Sequence, residues 1–326
     1  MALFRKSSTP TFDRAEGNPH VANGLRFLRE QNWAALAEVY EGLAPSDRFH
    51  LIQGLGDLSE VDAPMPFEVD DTRAAAIIGG IRVGWAWRHR GSARGNEVTQ
   101  IGADGMRRCL MAADAMLEAA GQQNPNDSTI IAWHLRCEMG LGGDYGHLTQ
   151  LVGRLGRSSE ANIFAALGHL NFVAPKWYGS VDEMWTVANS YASAPHNAAW
   201  VALAARAHVE EWLYCFSFGD DRNLQVAYSN KMNDQGFRAF IASIDKLFWE
   251  TLELKGPMNG SEAVFAHNNM AAMLVMVNAI DLSRDHFQRI NRYVSEIPLG
   301  YFSAFKEPMQ MLDYWRKRCG LPAIRS

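Results

Sequence analysis

Two pairs of side chains in this sequence have the spacing of metal ligands on one helix. His134 and Glu138 are four residues apart, and His208 and Glu211 are three apart, so each pair places its side chains on one helical face. Imidazole nitrogens and carboxylate oxygens are common zinc ligands. Neither pair has an H-E-x-x-H motif or the second E-x-x-H that a dinuclear iron centre needs. The spacing therefore predicts half-buried histidines with one hydrogen bond each, and no metal site.

Two pairs of adjacent aspartates are the other arrangement that would suit a cation. Asp70-Asp71 and Asp220-Asp221 offer the carboxylates with which magnesium is held beside substrate phosphates. The first pair comes directly before a helical pattern that begins at Thr72, where acids stabilise the helix dipole. The second pair lies in a stretch that predicts a loop. We interpret the pairs as a helix cap and a loop, and assign no cofactor.

The common phosphate-binding and nucleophile motifs are missing. The sequence has no G-x-x-x-x-G-K-[ST], no G-x-G-x-x-G after a predicted strand and no G-x-S-x-G. No residue is therefore assigned a catalytic role, and a non-enzymatic protein is favoured over an enzyme.

The composition is that of a folded protein without a nucleic-acid partner. Hydrophobic residues make up 48% of the 326 positions and charged residues 21%, which is enough for a core and unlike a disordered chain. The net charge of −5 gives no electrostatic reason to expect nucleic acid.

Cysteine usage and apolar runs predict a soluble cytoplasmic protein with no membrane partner. The four cysteines form no C-x-x-C pair, which favours reduced, buried thiols. The N-terminal residues 1–17 lack the apolar segment of a signal peptide. The longest apolar run, 270–277, is far shorter than the roughly 20 residues of a membrane span.

Helical spacing dominates the chain, and in its middle it repeats. Core-type residues occupy positions i, i+3, i+4 and i+7 over 130–137 and, after a glycine-rich turn, over 148–155. A shift of 33 residues maps both segments onto 163–170 and 181–188 without a gap. This period is typical of helix-turn-helix solenoid repeats. The sequence therefore predicts an all-α, tetratricopeptide-like array of helix pairs (an α-α superhelix), with helices near residues 130–140, 146–155, 162–172 and 180–191.

Breaks in the helical pattern suggest how the array is divided. The acidic, proline-containing stretch 57–71 is the best candidate for a boundary. We therefore divide the chain into an N-terminal helical segment, 1–66, and a helical-repeat domain, 67–326, with one continuous stack as the alternative. Within the array, an irregular insertion at 217–235 separates the two helices of a later pair.

Glycines at 79, 80 and 84 interrupt an otherwise regular helical pattern. Each glycine lowers the stability of a helix interior by up to about 1 kcal/mol relative to alanine. We predict a close helix crossing at Gly80 and Gly84, with backbone contact to a ligand as the alternative.

A turn at residues 175–180, with the sequence Pro-Lys-Trp-Tyr-Gly-Ser, joins two amphipathic helices. Ser180 is predicted to be the N-cap of the second helix, and Glu183 completes a capping box with it. Gly179 permits a positive φ, and Trp177 is expected to be buried between successive helices. Contact of Lys176 and Trp177 with a ligand is the alternative.

This turn resembles the Pro-Lys-Trp-Gly-Gly-Ser-x-x-Glu-Met signature of an uncharacterised family of bacterial all-helical proteins related to tetratricopeptide repeats. Pro175, Lys176 and Trp177 match it, as do Gly179, Ser180, Glu183 and Met184, whereas Tyr178 replaces the first glycine. The resemblance implies a helical-repeat fold and no particular activity.

Helical solenoids leave a concave groove lined by the first helix of each pair, and such grooves bind extended peptides or helices. We therefore expect a binding or scaffolding protein that holds a protein or peptide partner. The groove-lining candidates are His134, Arg136, His169, Asn171, Trp200 and His208. The alternative is a small-molecule-binding protein or enzyme whose pocket is closed by the insertion at 217–235, because long insertions in repeat arrays are often functional.

Overall fold

A computed structural model describes residues 12–66, 68–91, 97–218, 221–295, 297–302 and 307–324. The regular structure of these residues is helical throughout, with no β-strand among them, so the all-α prediction is confirmed. None of the described helices combines the length and apolarity that a bilayer crossing requires. The helices are α1 (His20–Arg29), α2 (Trp33–Glu41), α3 (Pro45–Leu58), α4 (Thr72–Arg90), α5 (Gln100–Gln123), α6 (Ser128–Leu141), α7 (Tyr145–Leu155), α8 (Ile163–Phe172), α9 (Val181–Ser193), α10 (Ala198–Leu213), α11 (Arg222–Asn233), α12 (Gln235–Lys255), α13 (Gly260–Met276), α14 (Ile280–Ile290) and α15 (Pro308–Arg318).

The chain forms two compact units. Residues Asn18–Ser180 make up the N-terminal unit, and Val181–Ser326, together with the described residues before Asn18, make up the C-terminal unit. The boundary that we expected at residue 66 lies inside the N-terminal unit.

Helix α4 is the centre of the N-terminal unit. It is buried continuously from Ala74 to Ala86, because small and branched apolar residues cover all of its faces. It packs against α2, α3, α5 and α6. The Asp71 carboxylate accepts hydrogen bonds from the backbone N–H groups of Arg73 and Ala74. The predicted cap at Asp71 is thereby confirmed.

Helices α3 and α4 cross at glycines. A Cβ atom added at Gly84 would lie 3.1 Å from the Cα atom of Gly56, and one added at Gly80 would collide with the Ile52 side chain. Only glycine permits this approach. The predicted close crossing at Gly80 and Gly84 is confirmed.

The acidic stretch after α3 is bound to α4 by two arginines. Arg82, which is buried, donates hydrogen bonds to the carbonyl oxygens of Met65 and Pro66. Arg88 donates to the carbonyl oxygen of Ser59 at 2.6 Å. The expected linker is therefore packed within the N-terminal unit.

Helices α10 and α13 form the centre of the C-terminal unit. Helix α10 is buried from Ala198 to Glu211, and its many alanines let α9, α12 and α13 approach it closely. Buried polar groups on it pair with one another, as Arg206 does with Glu210 at 2.6 Å. The helix then widens into a π-helical turn, Tyr214–Phe218.

Helices α6 to α9 occur where the sequence predicts them, but their connections differ. The loop between α6 and α7 has three residues, 142–144, whereas that between α8 and α9 has eight, 173–180. The shifted segments 163–170 and 181–188 lie within α8 and α9, but the loops of the two pairs differ in length, so the repeat arrangement stays a prediction. The division between the two units also falls between α8 and α9.

The predicted irregular insertion at 217–235 contains a regular helix, α11. Tyr228 is its only buried residue, so α11 has no apolar stripe that would reveal it in the sequence. The Asp221 carboxylate caps α11 by accepting the N–H of Asn223 at 2.8 Å. Asp220, the other member of that aspartate pair, lies outside the described residues.

Candidate functional site

A cavity of about 360 Å³ lies beneath α11 in the C-terminal unit. Five elements meet around it: the end of α10, the π-helical turn, α11, the end of α13, and α15. Its lining residues are Trp212, Phe216, Tyr228, Ser229, Met232, Asn233, Val275, Met276 and Trp315.

The π-helical turn positions the first wall of this pocket. Trp212 and Phe216 stack with ring centroids 5.6 Å apart and planes at 24°. Both rings are only half-buried. Single π-helical turns inside α-helices are frequent at functional sites, because the extra residue re-aims the side chains that follow.

Tyr228 forms the second wall and is itself fixed by His208. Its ring packs edge-on to Phe216 at 5.7 Å, and its hydroxyl lies 3.3 Å from Nε2 of His208. Burial lowers the pKa of His208 to about 3 and raises the pKa of Tyr228 well above its ordinary value. Both groups are therefore neutral at physiological pH, and the bond between them joins two uncharged partners.

A buried ion pair fastens α11 to α10. The Glu211 carboxylate accepts hydrogen bonds from Nζ of Lys231 at 2.7 Å and from Nε1 of Trp185 at 2.8 Å. The Lys231 ammonium also lies 4.7 Å from the ring centroid of Phe237. These hydrogen bonds satisfy the Glu211 carboxylate without a metal ion. The sequence spacing had paired Glu211 with His208 as possible metal ligands.

The described lining residues of the pocket are mainly apolar. Its lining residues carry no carboxylate, ammonium, imidazole or thiol group. Of the two polar residues, Ser229 donates to the carbonyl oxygen of Gln225, and Asn233 donates to that of Ser229. The remaining surface is aromatic, aliphatic or thioether, which favours a flat or apolar ligand.

A second arrangement of reactive side chains lies in the N-terminal unit, around His134. This side chain is 1% exposed. Its Nε2 atom lies 2.8 Å from Oδ1 of Asp114, and its Nδ1 atom lies 3.8 Å from Oε2 of Glu118. The ring of His147 packs against it edge-on at 5.4 Å. Helices α5, α6 and α7 thus bring acids and imidazoles together.

The carboxyl groups of Glu138 and Asp114 are neighbours at the edge of this group, and their pKa values are shifted in opposite directions. Burial, followed by the interaction with Asp114, raises the pKa of Glu138 to about 7. The hydrogen bond from His134 lowers the pKa of Asp114.

Half of the predicted groove residues are in the core. His134, Trp200 and His208 are 1%, 6% and 0% exposed. Trp200 packs against His196 and Tyr191, with ring centroids 4.6 and 5.2 Å away. These three side chains therefore do not line an open surface, because they lie on helix faces that neighbouring helices cover.

The other three groove candidates are half-buried on α6 and α8. The Arg136 guanidinium lies 5.4 Å from the Trp133 ring and 5.9 Å from the Trp87 ring. Burial lowers the pKa of His169 to about 4, and Oδ1 of Asn171 is a buried acceptor that lacks a hydrogen bond among the described residues.

The turn at residues 175–180 differs from its prediction. Trp177 is 37% exposed and touches Trp87 edge-on at 6.1 Å, so the expected burial is wrong. Tyr178 packs inward instead, 5.5 Å from the ring of Phe172. Gly179 is required by close approach and not by a positive φ, because a Cβ there would collide with the backbone of Val173.

The remaining members of the motif surround the start of α9. Lys176 is half-buried and Glu183 is exposed, while α9 begins at Val181, the residue directly after Ser180. The capping box of Ser180 and Glu183 stays a prediction.

Sequence reasoning missed most of the residues that meet in these two places. A signal for the second was present, since Asp114 and Glu118 on α5 repeat the four-residue spacing of His134 and Glu138 on α6. The pocket had no comparable signal, because its aromatic residues come from positions up to a hundred residues apart.

No family model matches the chain, and neither the curated proteins nor the solved structures give a significant match. The resemblance of the turn to a bacterial helical family therefore stays a prediction.

Proposed function

We propose that this protein binds a small aromatic or apolar molecule in the pocket beneath α11. The observation that carries this proposal is the cavity of about 360 Å³ with three half-buried aromatic rings in its walls. Pockets for small molecules occupy roughly 300–1,000 Å³ and combine apolar walls with a few polar groups. This pocket fits the small end of that range.

Exposed aromatic surface supports the same proposal. Trp212, Phe216 and Trp315 keep part of their rings open to the cavity, although large apolar side chains gain free energy from burial. A ligand that covers these rings would gain the free energy of removing their surface from water. Met232 and Met276 add flexible thioether walls that adapt to the shape of a ligand.

The pocket is lined by α11, which lies within the stretch 217–235 named in the alternative small-molecule hypothesis. Since the described lining residues carry no carboxylate, ammonium, imidazole or thiol group, we propose binding without catalysis. We place this function in the cytoplasm, because all four cysteines are free and buried.

A protein or peptide partner in the groove of a tetratricopeptide-like array has weaker support. The order of α6, α7 and α8 agrees with such an array, but the unequal loops do not. The burial of His134, Trp200 and His208 also removes half of the side chains that such a groove would use.

The test is a titration with 1-aminoanthracene, a neutral aromatic probe that fluoresces in apolar surroundings. We expect saturable binding at one site and quenching of tryptophan emission, since Trp212 and Trp315 line the pocket. Ser229→Phe fills the cavity from an exposed position on α11 and should weaken binding about tenfold or more, the equivalent of roughly 1–3 kcal/mol of steric cost.

Asn230→Phe is the matched control, because Asn230 is the next residue on α11, is exposed, and does not line the cavity. It should bind the probe as the unaltered protein does. The proposal fails if the probe shows no saturable binding, or if both variants bind it equally well.

A further inference from the structure

We propose that Glu118, His134 and His147 form a binding site for a divalent transition-metal ion of the zinc class. One ligand atom from each of these residues lies within 4.8 Å of the other two. Two imidazoles and one carboxylate are a ligand set of mononuclear zinc and iron sites. This metal site is in the N-terminal unit, whereas the pocket beneath α11 is in the C-terminal unit. It is a second role, beyond the function proposed for the pocket.

The orientation of His134 is the first argument. Its Nε2 atom lies 2.8 Å from the Asp114 carboxylate, which fixes the ring proton on that nitrogen. The lone pair is then on Nδ1, the atom that faces Glu118 at 3.8 Å. Metal-binding histidines nearly always donate their second nitrogen to a carboxylate in this way.

The second argument is that Nδ1 of His134 lacks a partner. It is buried and has no hydrogen bond among the described residues, although the side chain is only 1% exposed. A buried polar atom without a partner costs free energy. A cation at this position would satisfy it.

The three elements hold their ligands rigidly enough for metal binding. Glu118 and His134 project from α5 and α6, which pack along each other. His147 is in the first turn of α7, where the Asp144 carboxylate caps the helix by accepting the N–H of His147 itself. Gly142, in the left-handed region at φ 73°, makes the short turn between α6 and α7 possible.

The ligand atoms, which lie within 4.8 Å of one another, must move closer together to bind one ion. Bonds of about 2.0–2.1 Å in a tetrahedral site place ligand atoms roughly 3.3 Å apart. The 3.8 Å between His134 and Glu118 is close to that value, and the Glu118 side chain is 43% exposed and free to move inward. Its other oxygen, Oε1, accepts a hydrogen bond from Gln122, which leaves Oε2 for the ion.

The types of ligand atom in this group determine which metal ion it would bind. Imidazole nitrogen suits zinc, copper, nickel and iron, whereas magnesium prefers six oxygen ligands. Three protein ligands also leave a coordination position open, as in catalytic zinc sites. Solvent reaches that position past the partly exposed Glu118.

Two other groups of possible ligands are already committed elsewhere. Asp62 pairs with His89 at 3.0 Å and with Arg108 at 2.9 Å, and burial raises the pKa of the nearby Cys109 thiol to about 11. In the group of Asp114, His134 and Glu138, the Nε2 atom of His134 already lies 2.8 Å from the Asp114 carboxylate. Among the groups found in the described residues, that of Glu118, His134 and His147 is the one that offers the buried Nδ1 atom, which lacks a hydrogen bond.

The test is calorimetric titration of EDTA-treated protein with Zn²⁺, with Mg²⁺ as a comparison ion and Co²⁺ as a spectroscopic probe. We expect one Zn²⁺ per chain, a visible Co²⁺ spectrum of low coordination number, and no binding of Mg²⁺. His147→Ala and Glu118→Gln change partly exposed ligands, so both variants should fold, which far-ultraviolet circular dichroism checks. Each should abolish the stoichiometric Zn²⁺ binding.

Two further variants separate this site from adventitious binding. Asp114→Asn keeps the ligands but weakens the orientation of His134, and should lower Zn²⁺ affinity roughly 10–100-fold. His20→Ala removes an imidazole of the same unit outside the cluster and should change nothing. The proposal is overturned if Zn²⁺ does not bind stoichiometrically, or if His147→Ala and Glu118→Gln bind it like His20→Ala.

Discussion

Trp133 and Trp177 show how differently two tryptophans of one unit contribute to stability. Trp133 is 1% exposed and stacks on Phe49 at 4.4 Å, whereas Trp177 is 37% exposed and touches only the edge of Trp87 among the described ring contacts. The stacked ring is part of the close-packed core. The exposed ring covers a neighbouring ring at the surface.

We therefore predict unequal effects of removing the two rings. Trp133→Ala should lower the free energy of unfolding by about 3–5 kcal/mol, as large-to-small changes in a core do. Trp177→Ala should cost less, roughly 1–2 kcal/mol, because 37% of this residue is already exposed and its buried part makes one aromatic edge contact. Urea unfolding followed by circular dichroism measures both. Equal losses would mean that Trp177 is as important to the core as the sequence analysis assumed.

Two groove assignments failed because polar side chains on buried helices face other residues and not solvent. His134 and His208 were assigned to a groove because polar residues usually face solvent. In the structure each finds a partner inside the protein, His134 in Asp114 and His208 in Tyr228. A single sequence does not reveal such partners, because they lie on other helices.

At the scale of elements, an ion pair between Lys231 and Glu211 helps to hold α11 against α10. Lys231 lies 2.7 Å from Glu211, whose side chain is 9% exposed. Lys231→Met keeps the aliphatic length but leaves this carboxylate with the Trp185 N–H alone. We predict a loss of roughly 1–3 kcal/mol in the free energy of unfolding and weaker binding of 1-aminoanthracene, because α11 forms one wall of the pocket.

Lys246→Met is the matched control for this change. Lys246 pairs with Glu250 at 3.6 Å, but the two side chains are 76% and 59% exposed. Exposed pairs of this kind contribute about 0–1 kcal/mol. If Lys231→Met behaves like Lys246→Met in unfolding and in probe binding, the ion pair does not hold α11 in place.

The helices that the sequence predicts well share a clear start and an apolar pattern. The pattern from Thr72 to Arg90 matches α4 from end to end, helped by the Asp71 cap before it and Gly91 after it. Helix α11 was missed because Tyr228 is its only buried residue. Apolar residues at helical spacing mark a helix in the sequence only where the fold buries several of them.

At the scale of the whole molecule, both candidate sites are assembled from segments far apart in sequence. Trp212 and Trp315 share one pocket, and Glu118 and His147 share one cluster. Spacing along one helix predicts which side chains share its face, as for His134 and Glu138. Spacing does not predict which helices become neighbours. Both candidate sites depend on which helices lie side by side.

The C-terminal unit also has a collective response to pH. Burial lowers the pKa of both His208 and His267 to about 3, so both are neutral in the folded protein, whereas an unfolded histidine has a pKa of about 6.5. Between those values the unfolded chain binds more protons than the folded one. The free energy of unfolding therefore falls as the pH decreases below about 6.5, by up to roughly 1.4 kcal/mol per pH unit for each histidine.

We predict that the unaltered protein is distinctly less stable at pH 5 than at pH 7, where both histidines are neutral in either state. His208→Asn removes one of the histidines whose pKa is lowered by burial, so its stability should change less steeply over the same interval, even though losing the contact with Tyr228 lowers its stability at pH 7. His20→Ala, which removes a half-buried histidine from the N-terminal unit, is the control for the loss of an imidazole elsewhere in the chain. Urea unfolding at half-unit steps from pH 7 to pH 5 gives the three slopes. Equal slopes for the unaltered protein and His208→Asn would show that His208 does not remain neutral in the folded state.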